Sequence, residues 1–147
     1  GLLDGEGCIG VYKLHDKYMK SRNWNPRYSA YVAIVNTNKE VLLWVKKLYG
    51  GHLMEKKLYS KRWRRSYCLQ IRDNALKVFL NEMMPYLIIK RKQAKLMLSF
   101  WGNMKKAAAD YGRTRQRLST KELEKRERYY QKSLLLNHPQ RLSERIS

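Results

Sequence analysis

Residues 27–49, RYSAYVAIVNTNKEVLLWVKKLY, change their hydrophobic period part-way, and that change limits what the chain can fold into. Over 27–35 the side chains alternate. Tyr28, Ala30, Val32 and Ile34 fall on one, more uniformly apolar face, and Ser29, Tyr31, Ala33 and Val35 on the other. Asn36-Thr37-Asn38 interrupts the pattern, and Val41, Leu42, Val45 and Leu48 then form a helical stripe that stops at Gly50-Gly51. Asn38 suits the N-cap and the glycines suit the C-terminal end.

The rest of the chain repeats this grammar. Residues 8–14 alternate around Ile9 and Val11 as a strand, and the polar stretch 15–26 reads as a loop. His52 to Tyr59 and Trp63 to Ile71 read as a hairpin around Ser60-Lys61-Arg62. In its second arm Tyr67, Leu69 and Ile71 share one face, with Ser66, Cys68 and Gln70 on the other. Helical spacing over 74–84 stops at Pro85, and a further helix is expected over 87–101. Residues 102–118 read as a loop, and Ser119 with Glu122 forms a capping-box pattern that predicts a helix of about 15 residues. Four strands with helices gathered on one side give an α+β sandwich whose other sheet face is open. The division expected is a core over 1–101, followed by a basic loop and C-terminal helix over 102–147.

Charge narrows the partner. Thirty-two Lys and Arg against 12 Asp and Glu leave a net +20, which would self-repel in a compact fold without a polyanion. DNA or RNA leads, with an anionic membrane surface second. No apolar run approaches the ~18 residues of a membrane span, so no membrane partner is expected. Lys56, Lys57, Lys61, Arg62, Arg64 and Arg65 crowd the hairpin, with Tyr59, Trp63 and Tyr67 interleaved, and a sheet carrying such a set suits a nucleic-acid groove. Two cysteines and three scattered histidines suggest neither a disulfide framework nor zinc.

The opening GLLDGEGCIG admits two readings. Gly5-x-Gly7-x-x-Gly10 has the spacing of a dinucleotide-binding turn, but that turn opens a helix, whereas CIGVYKL has strand alternation. Alternatively Gly1 and Gly5 lie one helical turn apart, where small residues let two helices approach closely, with Leu2 and Leu3 packing beside them. Glu6 then projects beyond the last turn. Two such helices would bring two carboxylates together, which is costly unless divalent cations neutralise them.

GLLDGEG resembles the last seven residues of the LAGLIDADG motif of homing endonucleases, and NTNKEVL and PYLIIKRKQA follow in the family's order. The resemblance covers residues 1 to about 100. It implies the LAGLIDADG fold, with a four-stranded antiparallel DNA-binding sheet backed by helices. A single motif implies a homodimer joined through Gly1, Leu2 and Gly5, cutting both strands of a long pseudo-palindromic DNA site. Glu6 maps onto the essential metal ligand, with the Gly5 carbonyl beside it, and the metal implied is Mg2+ or Mn2+. Ca2+ is expected to support binding without cleavage. Asp4 maps onto the motif's earlier acid, read as structural.

By the same resemblance Asn36 aligns with a residue that orders active-site water, the alternative being a turn residue before the helix cap. Lys90 aligns with a basic residue that offsets transition-state charge. Base reading falls to the open face and the hairpin: Tyr12, Ser29, Tyr31, Lys56, Arg62, Arg64 and Gln70, with Arg to guanine and Gln to adenine as the expected pairings. Two binding proteins share the fold as alternatives, an RNA-binding intron maturase and a non-cleaving DNA regulator. Organellar, phage and bacterial introns all carry such proteins.

The charge alone makes a prediction. The logarithm of affinity for duplex DNA should fall with the logarithm of salt concentration at roughly −0.9 per phosphate neutralised. Titrations across a salt series check this, and a slope near zero would point to a different partner.

Overall fold

The computed structural model describes residues 3, 7–58, 60–62, 64–106 and 118–138, and the backbone of 107–111. Strands β1 (Gly7–Leu14), β2 (Arg27–Asn36), β3 (His52–Glu55) and β4 (Tyr67–Arg72) form one four-stranded sheet in the order β1-β2-β4-β3. The helices are α1 (Lys17–Ser21), α2 (Lys39–Tyr49), α3 (Asp73–Met83), α4 (Arg91–Tyr111) and α5 (Thr120–Asn137), with a 3-10 turn at Met84–Tyr86. The chain divides into two compact units, residues 1–9 with 31–91 and residues 10–30 with 92–147. The α+β class expected from the sequence holds.

In the first unit, β4 is the central strand. It pairs antiparallel with β2 from Tyr31↔Arg72 to Asn36↔Tyr67, and with β3 from His52↔Gln70 to Glu55↔Tyr67. Val32, Ile34, Leu69 and Ile71 are essentially inaccessible, and α2 and α3 pack against β4 with Leu42, Leu76 and Leu80 fully buried. Asn38 caps α2 as expected, its Oδ1 accepting from the amides of Glu40 (3.1 Å) and Val41 (3.4 Å). Leu48 does not continue the buried stripe; it is 55% exposed. Its place is taken by Tyr49, one turn beyond Val45, which meets the Phe79 ring edge-on at 5.0 Å.

Two glycines in this unit are fixed by space. A Cβ on Gly51, whose φ is +111°, would stand 2.7 Å from the Gln70 carbonyl oxygen across the β3–β4 ladder. A Cβ on Gly7 would stand 2.6 Å from the carbonyl oxygen of Leu3, a buried residue in helical backbone. The hairpin arms are shorter than their sequence suggests. β3 ends at Glu55 and β4 begins at Tyr67, because 56–65 carries six cations and like charges directly opposite one another weaken a ladder.

The second unit also departs from expectation. Residues 15–26 are not all loop: Asp16 caps α1, its Oδ1 accepting from the Met19 amide at 2.8 Å. Beside α1, Tyr18 and Trp24 meet edge-on at 5.6 Å, and the Arg22 guanidinium lies 4.3 Å from the Tyr18 ring centre. α4 starts four residues later than expected and runs to Tyr111, through much of the supposed loop over 102–118. Its continuation is rich in lysine and alanine, and Gly102 sits in open space, where it weakens helix propensity without interrupting the helix. Ala94, Met97 and Phe100 are its buried face.

α5 runs antiparallel to α4. Gln93 donates to the Leu136 carbonyl (3.2 Å), Phe100 meets Tyr129 at 5.3 Å, and Asn103 donates to Glu122 (3.1 Å). Ser119 caps α5 by accepting from the Glu122 amide. The Glu122 carboxylate does not complete a reciprocal box, since it accepts from Asn103 and from Arg126 at 3.0 Å. Ser133 accepts from the Val11 amide at 2.9 Å, which occupies a donor of the edge strand β1. Nearby, Glu127 accepts from the Tyr28 hydroxyl, from Lys13 (2.9 Å) and from Gln131 (3.1 Å). Burial opposes ionisation of Glu127, but these hydrogen bonds outweigh it and hold the carboxyl below its ordinary 4.5. Burial and the same carboxylate push Tyr28 up to about 12.

No described helix is long and apolar enough to cross a membrane. Glu127→Gln should lower the melting temperature at neutral pH. A depressed carboxyl contributes stability above its unfolded value of 4.5 and loses it as pH falls through the folded value, so the gap to wild type should narrow in acid. Thermal melts across that range check it. Gly51→Ala should cost about 1–3 kcal/mol, through a strained φ and the approach to Gln70, as read by chemical denaturation.

Candidate nucleic-acid interface

Residues directly opposite one another in an antiparallel ladder project to the same face. The pairing therefore assembles, within the first unit, a face opposite to the one packed on α2 and α3. One row runs His52, Gln70, Ala33; the next runs Met54, Cys68, Val35; and Arg72 stands opposite Tyr31. The Cys8 thiol lies 3.5 Å from the Tyr31 hydroxyl, which brings Cys8 to the same face. Ala33 and Val35 are small, so the longer polar side chains rise around a shallow floor. Tyr31 and Gln70 are half-buried, while His52 and Arg72 are exposed.

At one end of this face the ladder gains a further bond, from the Lys56 amide to the Ser66 carbonyl at 2.9 Å. Lys56 continues the phase of His52 and Met54 and is exposed. Lys57, Lys61, Arg62, Arg64 and Arg65 follow, all exposed, and Arg62 donates its amide to the Ser60 hydroxyl at 3.3 Å. Glu55 approaches Arg65 at 3.6 Å, an exposed pair that does little to offset the local charge. Because Arg62 and Arg64 lie in a loop, strand alternation does not set their directions. Tyr59 and Trp63 lie outside the described residues.

At the other end, Gly51, His52, Gln70, Arg72 and Asp73 line an open cleft of about 430 Å³. Arg72 Nη2 donates to Gln70 Oε1 at 2.8 Å. Neither Arg72 nor His52 belongs to the set read from the sequence. The signal for Arg72 is its phase with Gln70: the apolar alternation ends at Ile71, but β4 extends one residue further. Asp73 has a left-handed φ of +60°, a strained conformation for a non-glycine residue where the strand turns into α3.

The remaining candidates are dispersed. Tyr12 and Ser29 belong to the second unit, the first exposed and the second half-buried. Asn36 Oδ1 accepts from the Asn38 amide at 2.7 Å, which is the turn geometry that leads into α2. Lys90 is half-buried in the non-helical stretch between the 3-10 turn and α4. Gly1, Leu2, Asp4, Gly5 and Glu6 lie outside the described residues.

The chemistry available on the described face is that of binding. Burial pushes the Cys68 thiol up, with Lys56 pulling the other way, so the group stays protonated and a poor nucleophile. Both cysteines are free thiols. Among the described residues no three His, Cys, Asp or Glu side chains gather where they could hold a metal ion.

No family model and no curated protein matches the chain. Solved structures do match it. The homing endonuclease I-CvuI, in complex with an I-CreI target in the presence of magnesium, aligns with a TM-score of 0.67 at 21% identity, over 92% of this chain and 77% of that one. The archaeal intron-encoded homing endonuclease I-Vdi141I, complexed with DNA, gives 0.68 at 18%, over 92% and 79%. The LAGLIDADG meganuclease I-CpaMI, bound to uncleaved DNA, gives 0.58 at 17%, over 83% of this chain and 38% of that one. What is shared at such identities is the fold, and the fold of this chain is that of the LAGLIDADG homing endonucleases.

Proposed function

We propose that the protein is an intron- or intein-associated, site-specific double-strand DNA endonuclease that acts as a homodimer on a long pseudo-palindromic site. The observation that carries this reading is the sheet face of the first unit. Polar side chains of graded length, Tyr31, Gln70, His52 and Arg72, stand around small ones and are flanked by exposed cations. Such a surface matches the major groove, where base edges present donors and acceptors between two phosphate backbones. The neighbours I-CvuI and I-Vdi141I are complexes with DNA. One copy spans 38% of I-CpaMI, so two copies together would approach its length. Lys56, Arg62 and Arg64 supply phosphate and base contacts, with Tyr12 and Ser29 as further readers.

In this reading Glu6 and the Gly5 carbonyl hold a divalent metal, one set from each protomer, with Gly1, Leu2 and Gly5 at the helix contact between them. No metal-binding group forms among the described residues, and the donors proposed are hard oxygens, the type that Mg2+ or Mn2+ prefers. When bound, such an ion polarises the scissile phosphate and activates water. Lys90 offsets charge on the phosphate in the transition state. The bond from the Asn38 amide to Asn36 Oδ1 fixes the side chain in the turn before α2, from where its amide would order water.

The test begins with selection of bound sequences from a randomised duplex pool in Ca2+, followed by cleavage of the selected site in Mg2+. Glu6→Gln should keep or tighten binding, because two carboxylates facing phosphate lose their repulsion, and should lower cleavage by several orders of magnitude. Asp4→Asn should cost stability more than rate. Cleavage by Glu6→Gln at the wild-type rate would refute the assignment of Glu6. Specific binding by wild type without cleavage in any divalent metal would favour the regulator, and a preference for RNA would favour the maturase.

A further inference from the structure

We propose that Arg72 and Gln70 form one guanine-reading unit, in which Gln70 positions Arg72 and does not itself read adenine. The proposal rests on the DNA reading above and names the base that this part of the face selects. The two residues stand in phase on β4, and the bond from Arg72 Nη2 to Gln70 Oε1 is 2.8 Å long. A guanidinium has five N–H donors and no acceptor, so the amide must turn its oxygen toward Arg72. Recognition of adenine by glutamine needs that same oxygen to accept from N6 while the amide nitrogen donates to N7. The bond to Arg72 holds the amide in one orientation and leaves its oxygen one further lone pair beside a cation, so the N6 amino group of an adenine at this point would face the guanidinium donors.

Guanine presents two acceptors, O6 and N7, on its major-groove edge. Arg72 and the Gln70 amide nitrogen together present donors, so the pair matches guanine and mismatches adenine. The bond to Gln70 also limits the rotamers of a long side chain, which lowers the ordering cost when the fork meets a base. The surroundings favour close approach. Both residues line the open cleft with His52 and Gly51, and at Gly51 any side chain would crowd the Gln70 carbonyl. Asp73 is the carboxylate of that cleft, and an acceptor there suits the N4 amino group of the cytosine paired with the guanine.

Base preferences at every position of the selected site would be measured by quantitative binding for wild type, Arg72→Ala and Gln70→Leu, with thermal melts confirming that each variant folds. Arg72→Ala should lower the preference for guanine at one position per half-site by about 10- to 100-fold and leave the others unchanged. Gln70→Leu should weaken the preference at that same position, with no adenine preference lost elsewhere. Loss of an adenine preference in Gln70→Leu, with the guanine position intact, would show that Gln70 reads on its own and would overturn the proposal. A uniform loss of affinity in Arg72→Ala, with the salt slope reduced by about one, would make Arg72 a phosphate contact and overturn it too. If a site is selected and Arg72→Ala leaves its whole profile intact, this inference alone fails. If no duplex is enriched over random DNA, the DNA reading fails and this inference falls with it.

Discussion

The pairing of β2 with β4 decides what each side of the sheet can do. From Tyr31↔Arg72 to Asn36↔Tyr67, every pair assigns its two side chains together to one face. Val32 and Ile34 meet Ile71 and Leu69 on the packed face, all with at most 1% of their surface accessible. The same register turns Tyr31, Gln70 and Arg72 to the opposite face. A slip of one residue would bury Gln70 and Arg72 beneath two helices and expose two leucine-sized residues to water, so the hydrophobic core and the candidate interface are specified by one choice. Burial of isoleucine and leucine enforces it, at about 1.5–3 kcal/mol for each such side chain.

A chain with a net charge of +20 also has to place its few acids with care. In the second unit Glu127 accepts from Tyr28, Lys13 and Gln131, and Glu122 accepts from Asn103 and Arg126. The Glu122–Arg126 pair is nearly buried, with about a tenth of each side chain accessible. Removing one partner of such a pair would leave an uncompensated charge, which is far worse than never having had the pair. Two of the twelve acids thus hold α5 in place, while the cations of the 56–65 loop are left to solvent and to whatever anion approaches. That division keeps the repulsion away from the packed interior and concentrates it beside the sheet face.

On that face the side chains act on one another before they meet a ligand. Gln70 looks, on its own, like a reader of adenine. Joined to Arg72 it becomes an oriented support, its oxygen turned to the guanidinium. Asn36 is altered in the same way by Asn38, which takes its oxygen into the turn before α2. In both cases a neighbour two residues away sets which way an amide faces, because a bond to its oxygen fixes the positions of acceptor and donor ends alike.

Periodicity in the sequence determined the kind and order of the elements, since alternation over 27–35 and helical spacing over 39–49 can each be satisfied by one backbone geometry. It also determined the caps at Asn38 and Ser119, which are local hydrogen bonds within four residues. GLLDGEG, NTNKEVL and PYLIIKRKQA, in that order, made the fold legible, and Tyr31, Lys56 and Gln70 could be named from strand phase. Tertiary structure decided what depends on distant residues. The hairpin arms shortened because cations on facing strands repel, α4 continued to Tyr111, and Tyr49 replaced Leu48 because Phe79 was there to meet it. Arg72 belongs to the candidate site because β4 extends one residue beyond Ile71, opposite Tyr31. Local pattern fixes where a side chain stands along its own element; which partners claim its donors and acceptors is settled by packing between elements, and recognition is built from those.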